Sequence, residues 1–124
     1  MRESLRALSE RLLRLHRLLL DRQRHTYEAR HGAVPARDLF NLLLNDEAFA
    51  WLRPLSQMVA RIDEVVDAKH PVAEADARRL FQEAHALIKS DAQDAFHDNY
   101  RNALQDSADV VMAHAEISKL FKAS

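Results

Sequence analysis

Seven histidines stand among the 124 residues. Histidine is both the commonest metal ligand and the side chain whose charge changes nearest neutral pH. Two of the seven close short acidic motifs. Glu28-Ala29-Arg30-His31 has the Glu-x-x-His spacing of helical di-metal sites, which puts both donors on one helix face, and Asp94-Ala95-Phe96-His97 is an aspartate version of it. A carboxylate/histidine metal-binding bundle is one expectation. Against it, no second Glu-x-x-His occurs, and Glu28 and His31 fall beside Gly32 at a helix end rather than in a bundle interior. The plainer expectation is that His31 interacts favourably with a helix C-terminus while His97 lies on a solvated flank. His16 and His114 fall on apolar stripes beside Leu12 and Leu19, and Val110 and Ile117, so both should point inward as part of a polar layer. If their helices are neighbours, that contact would respond to pH.

His85 offers a different chemistry. Ala84-His85-Ala86-Leu87-Ile88-Lys89-Ser90 resembles the phosphoacceptor stretch of histidine phosphotransfer domains, which are four-helix bundles of this size whose histidine is followed by leucine, lysine and glycine. The resemblance implies a phosphoacceptor at His85. It departs where Ile88 takes the place of the lysine and Lys89 that of the glycine, whose missing side chain lets a partner domain approach.

Other chemistries are excluded by composition. With no cysteine there is no disulfide framework, thiolate metal site or cysteine nucleophile, and a single glycine, Gly32, cannot build a glycine-rich phosphate loop. The serines read as caps or exposed helix positions, none in a nucleophile-elbow context. Carboxylate pairs such as Asp63 and Glu64, or Asp106 and Asp109, have the spacing of a solvated helix face. No enzyme and no cofactor are expected.

Charge is divided along the chain. Residues 1–37 hold nine arginines against four acidic residues, and the remainder holds nine basic residues against fifteen acidic ones. Arg6, Arg14, Arg17 and Arg24 share the face opposite the leucine stripe, which could follow a phosphate backbone. The acidic remainder offers them a protein neighbour instead, in the same chain or in a second copy, and nucleic acid is not expected as the partner. Phe49, Trp51 and Arg53 gather the residue types that anchor interfaces beside Pro54, so they are the candidate partner-binding residues. Alternatively, Phe49 and Trp51 seal one end of the fold. Leu18, facing outward, is a second hint of self-association.

The elements that must carry these residues are helical throughout. Leu5, Leu8, Leu12, Leu15 and Leu19 recur at steps of three and four, which predicts a first helix over about 4–31, capped by Ser4 and stopped by Gly32 and Pro35. A second helical region opens near Pro35, breaks near Asn45 and again at Pro54, and runs on to about Lys69. Pro54 either starts a new helix at its first turn or kinks a continuous one. An alanine-rich stripe over 73–88 predicts a close-packed helix. Ser90-Asp91-Ala92-Gln93 reads as a capping box for a last helix, with one long bent helix over 72–122 as the alternative. The fold class expected is all-α: one domain over 1–124, an antiparallel bundle of about four helices. No run of apolar residues approaches the ~20 that span a bilayer, and no signal peptide is visible, so a cytoplasmic protein is expected.

From Phe40-Asn41-Leu42-Leu43-Leu44-Asn45-Asp46-Glu47-Ala48-Phe49-Ala50-Trp51-Leu52-Arg53-Pro54-Leu55-Ser56 on to Arg61-Ile62-Asp63-Glu64, the chain resembles a segment of small, uncharacterised bacterial all-helical proteins. The resemblance implies a helical bundle and a bacterial cytosolic origin, and no chemistry. Together these readings point to a non-enzymatic interaction or assembly module, self-associating as a homodimer or binding another protein.

Overall fold

The five leucines of the first stripe are all withdrawn from solvent, at 0% exposure each. Full burial of one leucine contributes roughly 1.5–3 kcal/mol, so this stripe is the seam on which the fold is assembled. The computed structural model describes residues 1–123. Helix α1 (Arg2–His31) carries the seam, followed by α2 (Ala36–Asn45), a 3₁₀ segment (Glu47–Leu52), α3 (Arg53–Asp67), α4 (Glu74–Lys89), α5 (Ala95–Asp106) and α6 (Ala108–Ala123). The described residues are all-helical, with no strand. They form six α-helices and a 3₁₀ segment where the sequence predicts about four helices.

Polar contacts on either flank of α1 set the directions of its neighbours. Ser9 donates to the carboxylate of Asp63, and His16 meets Ser56, so residue numbers fall along α3 as they rise along α1. Arg2 closes that end by donating to the carbonyls of Ala68 and His70 at 3.0 and 2.6 Å. On the other flank Arg11 donates to the carbonyl of Glu116 in α6, Leu18 and Arg22 share a groove with Val110 near the start of α6, and Arg22 pairs at 2.6 Å with Asp106, the last residue of α5. Both α3 and α6 therefore run antiparallel to α1. The alanine stripe of α4 packs closely, with Ala77, Leu80, Ala84 and Ile88 buried.

Several boundaries have local causes, some where the sequence predicts them and some elsewhere. Helix α1 begins two residues before Ser4, which caps nothing. Gly32 ends it with φ +86°, a left-handed conformation that a side chain resists, while its amide reaches the Glu28 carbonyl at 2.9 Å. The break at Asn45 is real: Asp46 leaves the helix and its carboxylate caps the 3₁₀ segment at the amide of Ala48. Pro54 lies in the first turn of α3, where its missing amide costs nothing. Ser90 makes only a local bond from the Ala92 amide, and the N-cap of α5 is Asp94. The expected last helix is divided at Ser107, whose hydroxyl accepts from the amide of Val110 and so starts α6.

Candidate functional site

The residues expected to bind a partner lie around the joint between α2 and α3. Phe49 is fully buried, with its ring 5.4 Å from that of Tyr27. Trp51 is half-buried, its ring tilted against that of Phe96 at 6.3 Å, and it donates its indole N–H to Gln23 at 2.8 Å. The guanidinium of Arg53 donates to the carbonyls of Leu43 and Asp46 at 3.2 and 3.0 Å, satisfying the free end of α2. These three residues are tied into the joint: Phe49 and Trp51 seat the 3₁₀ segment against α1 and α5, and Arg53 anchors the end of α2.

Helix α2 presents its own surface. Leu43 is 8% exposed and faces the core, whereas Phe40 and Leu44, one turn apart, are 67% and 54% exposed. Arg37 at the start of α2 and Glu47 just beyond its end are exposed as well. An aromatic and an aliphatic side chain, with an arginine before them and a glutamate after them, make an exposed apolar ridge along α2.

His85 lies elsewhere, midway along α4. It is exposed, with its ring edge-on to Phe121 at 5.0 Å. It lines an open groove of about 660 Å³ with Phe81, Phe121, Ala77, Gln82 and Arg78. Among the described residues its ring nitrogens have no hydrogen-bond partner.

The remaining histidines are brought together neither with each other nor with a carboxylate cluster. Among the described residues no group of three histidine, aspartate or glutamate side chains converges. Glu28 accepts from the amide of Val34 at 2.6 Å, which binds it into the turn after α1, while His31 stacks on Tyr27 at 4.3 Å. His97 is buried rather than on a solvated flank, at 7% exposure. Its Nδ1 meets Asp94 and its Nε2 the Leu87 carbonyl, each at 2.8 Å, so both nitrogens are engaged. The bond from the His97 amide, and then the His97 ring, hold the Asp94 carboxyl below its usual range. His16 and His114 point inward as expected but sit in separate places. His114 Nδ1 lies 2.5 Å from the hydroxyl of Tyr100 and Nε2 lies 3.4 Å from Lys89. Lysine can only donate, so Nε2 accepts and Nδ1–H donates to the tyrosine oxygen. Burial, and then the charge of Lys89, push His114 below its ordinary pKa, and burial pushes Tyr100 up.

Comparison of this chain with protein-family models, curated proteins and solved structures finds no match. The site is therefore read from its own geometry.

The arginine face of α1 is also partly engaged. Arg24 donates to the Val34 carbonyl, and Arg22 makes the one ion pair between α1 and another helix among the described residues. Arg6, Arg14 and Arg17 are exposed, but Glu3, Glu10 and Asp21 alternate with them along the same face. The Glu116 carboxyl, lowered first by its bond from Lys119, also feels Arg11 and Arg14. The ridge on α2 is what the sequence reading missed. Five of the six residues from 39 to 44 are apolar, more than one helix face can bury, and that excess is the signal for Phe40 and Leu44.

Proposed function

We propose that this protein is a non-enzymatic, cytoplasmic interaction or assembly module. In this reading α1, α3, α4 and α6 form an antiparallel four-helix bundle, and the joint braced by Phe49, Trp51 and Arg53 holds α2 out for a protein partner. The observation that carries it is the contrast within α2 between buried Leu43 and exposed Phe40 and Leu44. No helix among the described residues is long and apolar enough to cross a membrane. The test is the unfolding free energy of the Phe40→Asp, Leu44→Asp double variant. A ridge spare to the fold changes it by no more than about 0.5 kcal/mol, the usual range for surface substitutions. A loss of several kcal/mol makes Phe40 and Leu44 part of the core and ends this reading.

A second reading is favoured by one observation, the exposed ring of His85, whose nitrogens have no hydrogen-bond partner among the described residues. As a phosphoacceptor it would take acid-labile phosphate from phosphoramidate, and the His85→Gln variant would take none. Equal labelling of the two proteins rules that role out.

A further inference from the structure

Phe40 and Leu44 leave an exposed apolar ridge on α2, and the charges at the two ends of that helix point to one occupant for it. Arg37 stands three residues before Phe40, and Glu47 three residues after Leu44. Both are exposed, and neither has an ion-pair partner among the described residues. Resting on the reading of α2 as the docking face, we propose that its occupant is a second copy of this chain, with the two α2 helices packed antiparallel about a two-fold axis.

The register follows from symmetry. In a two-fold pair each step forward on one helix is a step backward on the other, so seating Phe40 on the second copy's Leu44 also seats Leu44 on its Phe40. Antiparallel packing also brings the Arg37 end of each α2 beside the second copy's Glu47, the first residue of the 3₁₀ segment that follows the break at Asp46. One apolar contact and one opposite-charge pair are therefore each made twice. The two arginines lie at opposite ends of the contact, as do the two glutamates, so like charges are kept apart. A parallel pairing would instead bring arginine to arginine and glutamate to glutamate.

The size of the ridge sets the strength. A ten-residue helix is about 15 Å long, and two of them cover far less than the 1,200–2,000 Å² of a standard stable interface. The dimer is consequently weak and dependent on concentration.

Sedimentation velocity from about 10 μM to about 1 mM tests this on the full chain, with circular dichroism confirming that each variant is folded. The wild type moves from monomer to dimer across the series, and Phe40→Asp stays monomeric. Arg37→Glu and Glu47→Arg, each reversing both ion pairs, weaken the dimer about tenfold, within the range of exposed pairs. The Arg37→Glu, Glu47→Arg double variant recovers most of that loss. A wild type that is monomeric throughout overturns the inference. So does a dimer indifferent to Phe40→Asp, or a double variant as weak as the singles. These outcomes are separate from failure of the interaction reading, which the unfolding test above decides by asking only whether the ridge is spare to the fold.

Discussion

Ser56 Oγ lies 2.6 Å from Nε2 of His16, and this contact joins α3 to α1 inside the core. The same hydroxyl is 3.3 Å from the carbonyl of Leu52. Its proton can go to that carbonyl while Nε2–H of the ring donates to the hydroxyl oxygen, so the neutral imidazole satisfies the group. His16 is 7% exposed, and without Ser56 its nitrogen would have no partner and little water. Leaving a buried polar atom unpaired costs roughly 1–3 kcal/mol. Ser56→Ala should lower the unfolding free energy by that amount in urea denaturation.

Burial also pushes the His16 pKa below 6.5, as it does for His114 with help from Lys89. The unfolded chain therefore binds protons at these sites more readily than the folded one. Their stabilising contribution is complete above pH 6.5 and is lost as the pH falls below it toward the folded-state values. The unfolding free energy from urea denaturation should fall between pH 7 and pH 5, by at most about 1.4 kcal/mol per pH unit for each histidine. His16→Gln, which retains a polar group facing Ser56, should flatten that dependence, and an unchanged slope would remove His16 from the account.

The division of the last helical region gives a local prediction. Ser107→Ala removes the side chain that accepts from Val110, and loss of such a cap costs about 1 kcal/mol. Amide exchange should accelerate in the first turn of α6 while the middle of α1 is unaffected.

Trp51 separates a structural role from a docking one. Trp51→Phe keeps a ring beside Phe96 and deletes the bond to Gln23, so it should cost on the order of 1 kcal/mol. Self-association should be unaltered, because the indole braces the joint and the contact surface is on α2. Abolition of the dimer by this substitution would place the interface on Trp51 itself.

What could be read from the sequence was whatever depends on periodicity. The stripe from Leu5 to Leu19, the alanines of α4 and the break at Asn45 follow from helical spacing and one local breaker. The division at Ser107 was harder to see because no glycine or proline marks it, only a serine cap within a continuous apolar pattern. His97 was misplaced for a related reason. Its burial depends on the Leu87 carbonyl, ten residues away across a turn, and spacing within one helix says nothing about that distance. The candidate site was legible as a region. Phe49, Trp51 and Arg53 lie at the joint between α2 and α3, while the exposed apolar residues Phe40 and Leu44 belong to the neighbouring helix, a distinction made by tertiary packing.

Contact between two copies of the chain through the exposed face of α2 is tested most directly by amide chemical shifts followed through a dilution series. On dilution from about 1 mM, shifts confined to α2 and Glu47, centred on Phe40 and Leu44, are the predicted result. A spectrum independent of concentration, or shifts centred on α4 or α6 with α2 unchanged, would contradict it.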